Sequence, residues 1–330
     1  MNTQAIAVDV MGGDRAPDEV IKGIVETVRT HPVDLILVGR ADLIKRELSR
    51  HRDVLKRVAI HHAPDLVEMD EKPLEVLKKK ESSLYVCAKL VAEGKAGGFV
   101  SAGNTGALLA AATFVVGRIP GLERPALATP LPAENGVVIL IDAGANAEVR
   151  PRNMLDFARM GIAYAKILGI SKPRVGILNI GEEEEKGNSL VKESYELLKK
   201  ELGETFVGNV QARDIPFRMA DVVVADGFSG NVVLKSYEGA IKFFVETLKK
   251  EMRKKPFPSY IGAFMMKPVF NALSRRFDYR EHGGAFMLGV KGVVVKAHGS
   301  SDALAIYNAL KVAQKGVQMH LPQMIEEMIS

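Results

Sequence analysis

Five short segments combine glycines with side chains that can bind an anion or a carbonyl oxygen. They are Asp9–Asp14, Ser101–Ala107, Asn179–Asn188, Asp226–Asn231 and Lys296–Ser301. Each follows a run of apolar residues that is typical of a buried strand. Glycine lets backbone N–H groups approach an anion, and a helix that begins after such a turn adds its positive N-terminus. The spacing therefore predicts an oxyanion-binding site built from strand–turn–helix connections.

Two of these segments carry side chains suited to stabilising negative charge. Lys186 follows four successive glutamates and can bind phosphate or polarise a carbonyl as a point charge. His298 can donate a hydrogen bond to a developing oxyanion. Each has an ordinary alternative, because a lysine beside glutamates relieves an acidic run and a lone histidine is more often structural. The other three segments are also compatible with capped turns, and Asn231 is a good residue to open a helix.

The motifs of several other enzyme classes are missing from the chain. It has no GxGxxG, no Walker loop ending in GK[ST], no GxSxG elbow and no HExxH. The single cysteine, Cys87, lies in a helical apolar pattern with Leu84 and Val91 and is predicted to be a core residue. We therefore expect a site that holds and orients anionic oxygens without a covalent step, a metal or a cofactor.

Short apolar runs alternate with segments of helical period along the chain. The predicted strands are Ile6–Val10, Leu35–Val38, Val58–Ile60, Gly98–Val100, Val137–Ile141, Val175–Leu178, Val222–Ala225 and Val293–Val295. The predicted helices are Asp18–Arg29, Leu74–Glu93, Thr105–Val116, Met154–Leu168, Ser189–Leu202, Asn231–Lys250 and Ser301–Lys315. This rhythm predicts an α/β fold with a largely parallel sheet. Ligands bind beyond the carboxyl ends of parallel strands, so we expect the five segments to meet at one edge of the sheet.

The composition of the 330 residues, with 47% hydrophobic and 26% charged, excludes a disordered or fibrous chain. A net charge of +5 is too small to indicate a nucleic-acid partner. One cysteine fits a reducing compartment. No secretory signal or spanning segment is evident, so we expect a cytoplasmic protein that at most touches a membrane surface. No convincing boundary divides residues 1–330, which we interpret as one unit.

Residues 249–279 differ from the rest of the chain. A basic run, Lys249–Lys255, precedes apolar residues at helical spacing. Pro268 lies among these residues and is expected to split the stretch into two short helices. The apolar positions are Ile261, Phe264, Met265, Met266, Phe270 and Leu273. Such a protruding amphipathic segment fits an interfacial membrane element or a docking surface for an acidic partner. A helical hairpin buried at a subunit interface is the alternative.

Eight motifs, in order along the chain, carry a resemblance to a known family. They are DVMGGD (9–14), SAGNTG (101–106), DAGAN (142–146), NIGEEEEKGN (179–188), GNVQARDI (208–215), DGFSGNVVLK (226–235), GGAFMLG (283–289) and HGSS (298–301). Together they resemble the bacterial phosphate acyltransferases, the acyl-carrier-protein:phosphate acyltransferases of phospholipid synthesis (the PlsX family). The resemblance covers nearly the whole chain.

This resemblance implies a three-layer α/β/α sandwich similar to the isocitrate and isopropylmalate dehydrogenases, without nicotinamide. It also implies a homodimer that moves a long-chain acyl group from acyl carrier protein to inorganic phosphate. A membrane glycerol-3-phosphate acyltransferase would use the acyl phosphate, and the enzyme would associate peripherally with the inner face of the cell membrane. A dehydrogenase of similar fold and a non-catalytic lipid or carrier-protein binding module are the alternatives.

The resemblance makes the roles of the five segments concrete. Lys186 and backbone donors would hold phosphate against the thioester, and Asn231 and His298 would stabilise the oxyanion formed on attack. The other expected substrate-binding residues are Asp9, Gly12, Gly13, Asp14, Ser101, Gly103, Asn104, Thr105, Gly106, Asn179, Gly181, Asp226, Gly227, Ser229, Gly299, Ser300 and Ser301.

Overall fold

The computed structural model describes residues 4–254, 262, 265–270, 280 and 283–329. Its strands are β1 (Ile6–Asp9), β2 (Leu35–Gly39), β3 (Ala59–His62), β4 (Gly98–Ser101), β5 (Ala126–Ala133), β6 (Gly136–Ile141), β7 (Val175–Asn179), β8 (Phe206–Gln211), β9 (Val222–Val224), β10 (Ala285–Leu288) and β11 (Val293–Lys296). All of these strands belong to one sheet.

Helices follow most of the parallel strands. They are α1 (Asp18–Thr30), α2 (Ala41–Leu48), α3 (Arg52–Leu55), α4 (Ser83–Ala92), α5 (Thr105–Ala111), α6 (Pro151–Ile167), α7 (Ser189–Leu202), α8 (Gly227–Lys254), α9 (Ala303–Gln318) and α10 (Leu321–Ile329). Short helical turns cover Pro73–Leu77, Ala112–Val116, Gly203–Thr205 and Ala212–Phe217.

The strand order is β3-β2-β1-β4-β11-β10-β5-β6-β9-β7-β8. The first five strands in this order pair in parallel, and so do the last four. Three successive antiparallel pairings, β11–β10, β10–β5 and β5–β6, lie between the two groups. Because three reversals separate them, the two parallel groups run in opposite directions.

This reversal corrects the expectation that all five glycine-containing segments meet at one edge. The carboxyl ends of β1, β4 and β11 lie at one edge of the sheet, and those of β7 and β9 lie at the opposite edge. Local apolar patterns reveal a strand but not its direction within the sheet. The predicted strands do not include β5 and β10, two of the four strands that make the reversals, so the direction of each half could not be predicted.

The weak sequence signal of β5 has a physical reason. Pro130 and Pro132 lie in β5, and proline lacks the N–H that a strand ladder uses. The pairing of β5 with β10 covers only Ala126–Ala128, so both prolines lie beyond that ladder and oppose only β6. The strand β8 was also overlooked. The expected helix Leu74–Glu93 is wrong, since a short turn ends at Leu77 and α4 begins after a Ser82 cap.

Side chains that alternate along the strands build a core on each face of the sheet. Ile6 and Val8 of β1 pack into a cluster with α1, α6, α9 and α10, whereas Ala7 packs into a second cluster with α4 and α5. Helices on both faces of a mixed, mostly parallel sheet make a three-layer α/β/α sandwich, as the family resemblance implies. Cys87 is fully buried in the second cluster, as expected.

The outer part of α8 extends away from both cores. Phe243 is 73% exposed and Phe244 is 67% exposed, although both are large apolar residues. Of the six expected membrane or partner residues, Met265 and Met266 are exposed and Phe270 is partly buried, whereas Ile261, Phe264 and Leu273 lie outside the described residues. No helix in the described ranges is long and apolar enough to cross a membrane.

Candidate active site

A cavity of about 630 Å³ lies over the central antiparallel strands. Its floor includes Leu127 and Thr129 of β5 together with Met287 of β10, because side chains at alternate strand positions point to the same face. The N-terminal turn of α5 and the first three turns of α8 form walls, and the loops after β6 and β11 complete the lining. The cavity therefore sits where the two oppositely directed halves of the sheet meet.

Four of the five predicted segments contribute to this cavity. Its lining includes Asp14, Thr105, Gly106, Asn231, Lys296, Ala297, His298, Gly299 and Ser301 from those segments. Other predicted site residues lie outside the lining: Asp9, Gly12, Gly13, Ser101, Gly103, Asn104, Asn179, Gly181, Lys186, Asp226, Gly227, Ser229 and Ser300. Within the part of the chain that the structure describes, the lining takes nothing from Asn179–Asn188.

Buried polar groups hold the turns after β1 and β4 together. The Ser101 hydroxyl donates to Asp9 Oδ2 at 2.7 Å and accepts from the Gly103 N–H at 3.0 Å. Burial raises the pKa of the Asp9 carboxyl, against hydrogen bonds that lower it. A Cβ at Gly12 would lie 2.4 Å from Asp9 Oδ2, so only glycine fits there. These residues position the two turns rather than face the cavity.

The hydrogen bonds of Asn104 also give it a structural role. Its Oδ1 accepts from the Ala107 N–H at 3.0 Å and caps α5. Its Nδ2 donates to the carbonyls of Met69 and Glu71 at 3.0 and 2.9 Å. Because Met69 lines the cavity, Asn104 fixes one wall and the start of α5 together.

A buried carboxylate organises the loop after β6. Asp142 accepts hydrogen bonds from the N–H groups of Leu127, Gly144, Ala145 and Asn146 and from the Asn146 side chain, at 2.7–3.1 Å. Burial raises the pKa of this carboxyl, although each hydrogen bond favours the charged form. Asp142 belongs to the motif DAGAN (142–146), but the sequence alone indicates no role for it.

The start of α8 packs directly on that loop. The Gly227 N–H donates to the Asn146 carbonyl at 2.7 Å, and Asp226 Oδ1 accepts from the Ser229 N–H at 2.8 Å. A Cβ at Gly230 would lie 1.9 Å from the Asp142 carbonyl oxygen. This close approach sets the position of Asn231, the next residue, in the cavity wall.

The turn after β11 presents His298 in a defined tautomer. The Ser300 N–H donates to His298 Nδ1 at 3.2 Å, so the neutral imidazole carries its proton on Nε2. Burial lowers the pKa of His298; the negative charges of Glu238 and Asp14 oppose this shift, and the positive charges of Lys235 and Lys296 add to it. His298 is therefore a neutral hydrogen-bond donor near pH 7, as an oxyanion stabiliser requires. The Gly299 carbonyl accepts from the Asp14 N–H at 2.9 Å and ties two predicted segments together.

Lys296, the last residue of β11, was given no role from the sequence. It is only 7% exposed, and its Nζ donates to the carbonyls of Ala102 (3.2 Å) and Ala297. Burial lowers the pKa of the Lys296 ammonium to about 8. The sequence signal that could indicate a role for Lys296 is its position directly after three valines of a buried strand.

The Lys186 segment is a self-contained loop beside β7. Asn179 Nδ2 donates to the Lys186 carbonyl at 3.0 Å, and its Oδ1 accepts from the Ile180 N–H at 2.8 Å. The Lys186 side chain is exposed, and Gly181 is partly buried beneath it. The arrangement orders the loop without directing it into the cavity of the same chain.

The chain is similar to known proteins over nearly its whole length. A family model described as "Fatty acid synthesis protein" matches residues 4–324. The chain is 50% identical to the phosphate acyltransferase of Thermotoga maritima over 325 residues, which cover 98% of this chain and 97% of that protein. It is 47% identical to the phosphate acyltransferase of Petrotoga mobilis over 330 residues, which cover 99% and 100%.

Two solved structures share the fold at low sequence identity. A phosphotransacetylase from Streptococcus pyogenes has a TM-score of 0.65 and 17% identity, over 95% of this chain and 94% of that one. A branched-chain phosphotransacylase from Enterococcus faecalis has a TM-score of 0.60 and 15% identity, over 94% and 99%. Both support the α/β sandwich described above.

Proposed function

Since the chain belongs to the phosphate acyltransferase family and is an acyltransferase, we propose that it transfers a long-chain acyl group from acyl carrier protein to inorganic phosphate. The product is an acyl phosphate. We further propose that a membrane glycerol-3-phosphate acyltransferase consumes this product on the route to phosphatidic acid.

The mixed character of one cavity carries the proposal. At one side, Lys296, His298 and Asn231 supply positive charge and hydrogen-bond donors. The lining also includes the apolar residues Leu109, Leu127, Leu234 and Met287, beside the charged Asp14, Lys235 and Glu238. A fatty acyl thioester with a phosphate beside it needs both surfaces, since its chain is aliphatic and its reacting oxygens become negative.

The reaction needs positioning more than activation. An oxygen of hydrogen phosphate attacks the thioester carbonyl, a C–O bond forms and the C–S bond breaks. The proton of the phosphate leaves with the thiol of the carrier, so no external base is consumed. Holding the two reactants together can supply most of the acceleration, because a bimolecular step becomes effectively unimolecular.

We propose that Asn231 and His298 stabilise the tetrahedral oxyanion. Both line the cavity, and the Nε2–H tautomer of His298 is a donor. The N-terminal turn of α5, with Thr105 and Gly106 at the wall, offers backbone N–H groups and a positive helix end. Lys186 is proposed as a further cation, although its turn lies outside the cavity lining of its own chain.

Acyl carrier protein, a second copy of this chain and a membrane surface are proposed partners. The exposed outer part of α8 supports the membrane proposal, because Phe243 and Phe244 precede the basic residues Lys249, Lys250 and Arg253. Flotation with anionic liposomes tests it: Phe243→Ser with Phe244→Ser should reduce binding, while the exposed Phe217→Ser control should not. Equal flotation of both variants would remove α8 from the proposal.

Palmitoyl-carrier protein incubated with the enzyme and phosphate tests the function itself. We expect mass spectrometry to detect palmitoyl phosphate, and we expect release of free carrier protein only when phosphate is present. Release that is independent of phosphate would indicate a thioesterase, and absence of release would contradict the proposed substrates.

A further inference from the structure

Lys296 and Ser301 bring two hydrogen-bonding groups to the same cavity from the end of β11 and the loop that follows it. Lys296 is opposite Ala285 of β10 in the strand register, on the face that packs Val294 into the second core cluster. Ser301 ends the loop, and its N–H donates to the His298 carbonyl at 3.0 Å. Both residues are more than nine-tenths buried, with exposures of 7% and 4%.

Within the described residues, both Lys296 and Ser301 keep a hydrogen-bonding group without a partner. The Ser301 hydroxyl is buried and finds no partner there. Two of the three N–H groups of the Lys296 ammonium bond to carbonyls, and among the described residues no carboxylate lies within 4.0 Å of it. A buried cation without an ion pair and a buried hydroxyl without a partner are both costly, unless a ligand satisfies them.

The ligand that satisfies both groups is an oxyanion. A tetrahedral phosphate offers several acceptor oxygens to an ammonium and a hydroxyl together. Thr129 Oγ1 is another buried hydroxyl without a partner in the described residues. It lies two strands from Lys296, with about 10 Å between the two backbones by strand spacing.

We propose that Lys296, with the Ser301 hydroxyl, binds the phosphate substrate as its principal cationic partner. This inference rests on the proposed function and names the phosphate subsite within it. The family resemblance instead assigns phosphate binding to Lys186. The Lys186 side chain is exposed, and its loop does not contribute to the described cavity lining. Lys296 also bonds to Ala102, so the same side chain couples the phosphate to the turn before α5.

Four variants test this subsite. Lys296→Met removes the charge at similar length, Lys296→Arg keeps it, and Ser301→Ala removes a hydroxyl on which no described group depends. Lys291→Met is the matched control, because Lys291 is an exposed lysine just before the same strand. Titration calorimetry with inorganic phosphate measures binding, and steady-state kinetics separate the KM for phosphate from the KM for the acyl donor.

We expect Lys296→Met to weaken phosphate binding at least tenfold and Ser301→Ala to weaken it about three- to tenfold. Lys296→Arg should recover part of the affinity, and Lys291→Met should leave it unchanged. The KM for the acyl donor should change little. Ser301→Ala should unfold at the same temperature as the wild type, which keeps the test valid if Lys296→Met fails to fold.

The outcomes separate this inference from the proposed function. Wild-type enzyme that binds phosphate but transfers no acyl group to it would contradict the function and leave the phosphate subsite standing. Wild-type enzyme that makes acyl phosphate while Ser301→Ala and the Lys296 variants keep normal phosphate affinity would overturn the subsite. Wild-type enzyme that neither binds nor uses phosphate would overturn both.

Discussion

At the scale of single residues, the predicted ligands divide into anchors and groups that face the cavity. Asp9 and Asn104 form their hydrogen bonds with neighbouring turns, so these two polar side chains fix the position of the turns. Asn231 and His298 line the cavity. Residue type alone does not distinguish these cases, because a buried carboxylate and a substrate-binding carboxylate look the same in a sequence.

Asp142 should be the anchor whose loss costs the most stability. In Asp142→Asn, one carboxylate oxygen becomes an NH₂ group that faces N–H donors, so at least one hydrogen bond becomes a repulsion. We expect the free energy of unfolding in urea to fall by about 3 kcal/mol. The exposed Asp42→Asn should change it by less than about 0.5 kcal/mol. Equal stability of the two variants would contradict the anchoring role.

His298 should impose an acid limit on turnover. Its pKa lies below the ordinary 6.5, so the neutral donor form persists at pH 7 and is lost as the pH falls through that lower value. Protonation keeps the Nε2–H but puts a second proton on Nδ1, so the hydrogen bond from the Ser300 N–H that holds the ring is lost. We expect kcat to fall with this ionisation, and we expect His298→Gln to be slower and to lack that limb in its pH–rate profile. If the wild type and His298→Gln show the same acid limb, the ionisation that causes it belongs to another group.

At the scale of elements, the site depends on how closely α8 meets the loop after β6. Gly230 allows that approach, since its position leaves no room for a Cβ against the Asp142 carbonyl oxygen. The loop, in turn, is held by the Asp142 carboxylate. Helix and loop therefore form one rigid support for Asn231, although the sequence presents them as separate motifs.

Two glycine variants on α8 separate packing from helix propensity. Gly230→Ala should displace the start of α8, lower kcat/KM more than tenfold and lower the melting temperature. Gly239→Ala lies on the same helix with nothing within 4 Å of the added Cβ, so it should keep activity and gain up to about 1 kcal/mol of stability. Thermal unfolding and steady-state kinetics measure both effects. Normal activity of Gly230→Ala would show that α8 adjusts without loss.

At the scale of the whole molecule, opposite strand directions decide which turns share the cavity. The cavity draws on turns from both edges of the sheet because it lies across the central antiparallel strands β5 and β10. The loop that contains Lys186 follows β7, which is separated from β6 by β9. Lys186 therefore reaches substrate only if the loop moves or a second copy of the chain brings it there.

A kinetic comparison tests Lys186 at this scale. If the proposed role is correct, Lys186→Ala should lower kcat at least tenfold with unchanged folding, because a cation near the reacting oxygens is lost. The exposed Lys192→Ala on the following helix is the control and should retain activity. Near-normal turnover and phosphate KM in Lys186→Ala would remove this residue from the mechanism.

Local sequence patterns determined most of the elements and their order along the chain. Apolar runs such as Ile6–Val10 predict buried strands, and the glycine-containing turns after them predict capped helix starts. The buried position of Cys87 follows from the same periodicity. The motifs and their order also identify the phosphate acyltransferase family. These features depend on residues close in sequence, so a reading along the chain can recover them.

Only the tertiary structure decided which of these features meet. The direction of each half of the sheet depends on long-range pairings through β5 and β10, and the strand pattern of β5 is weak because it contains prolines. The burial of Lys296 without an ion pair depends on packing from several strands and turns at once. Such properties arise from contacts between distant residues, and local periodicity carries no information about them.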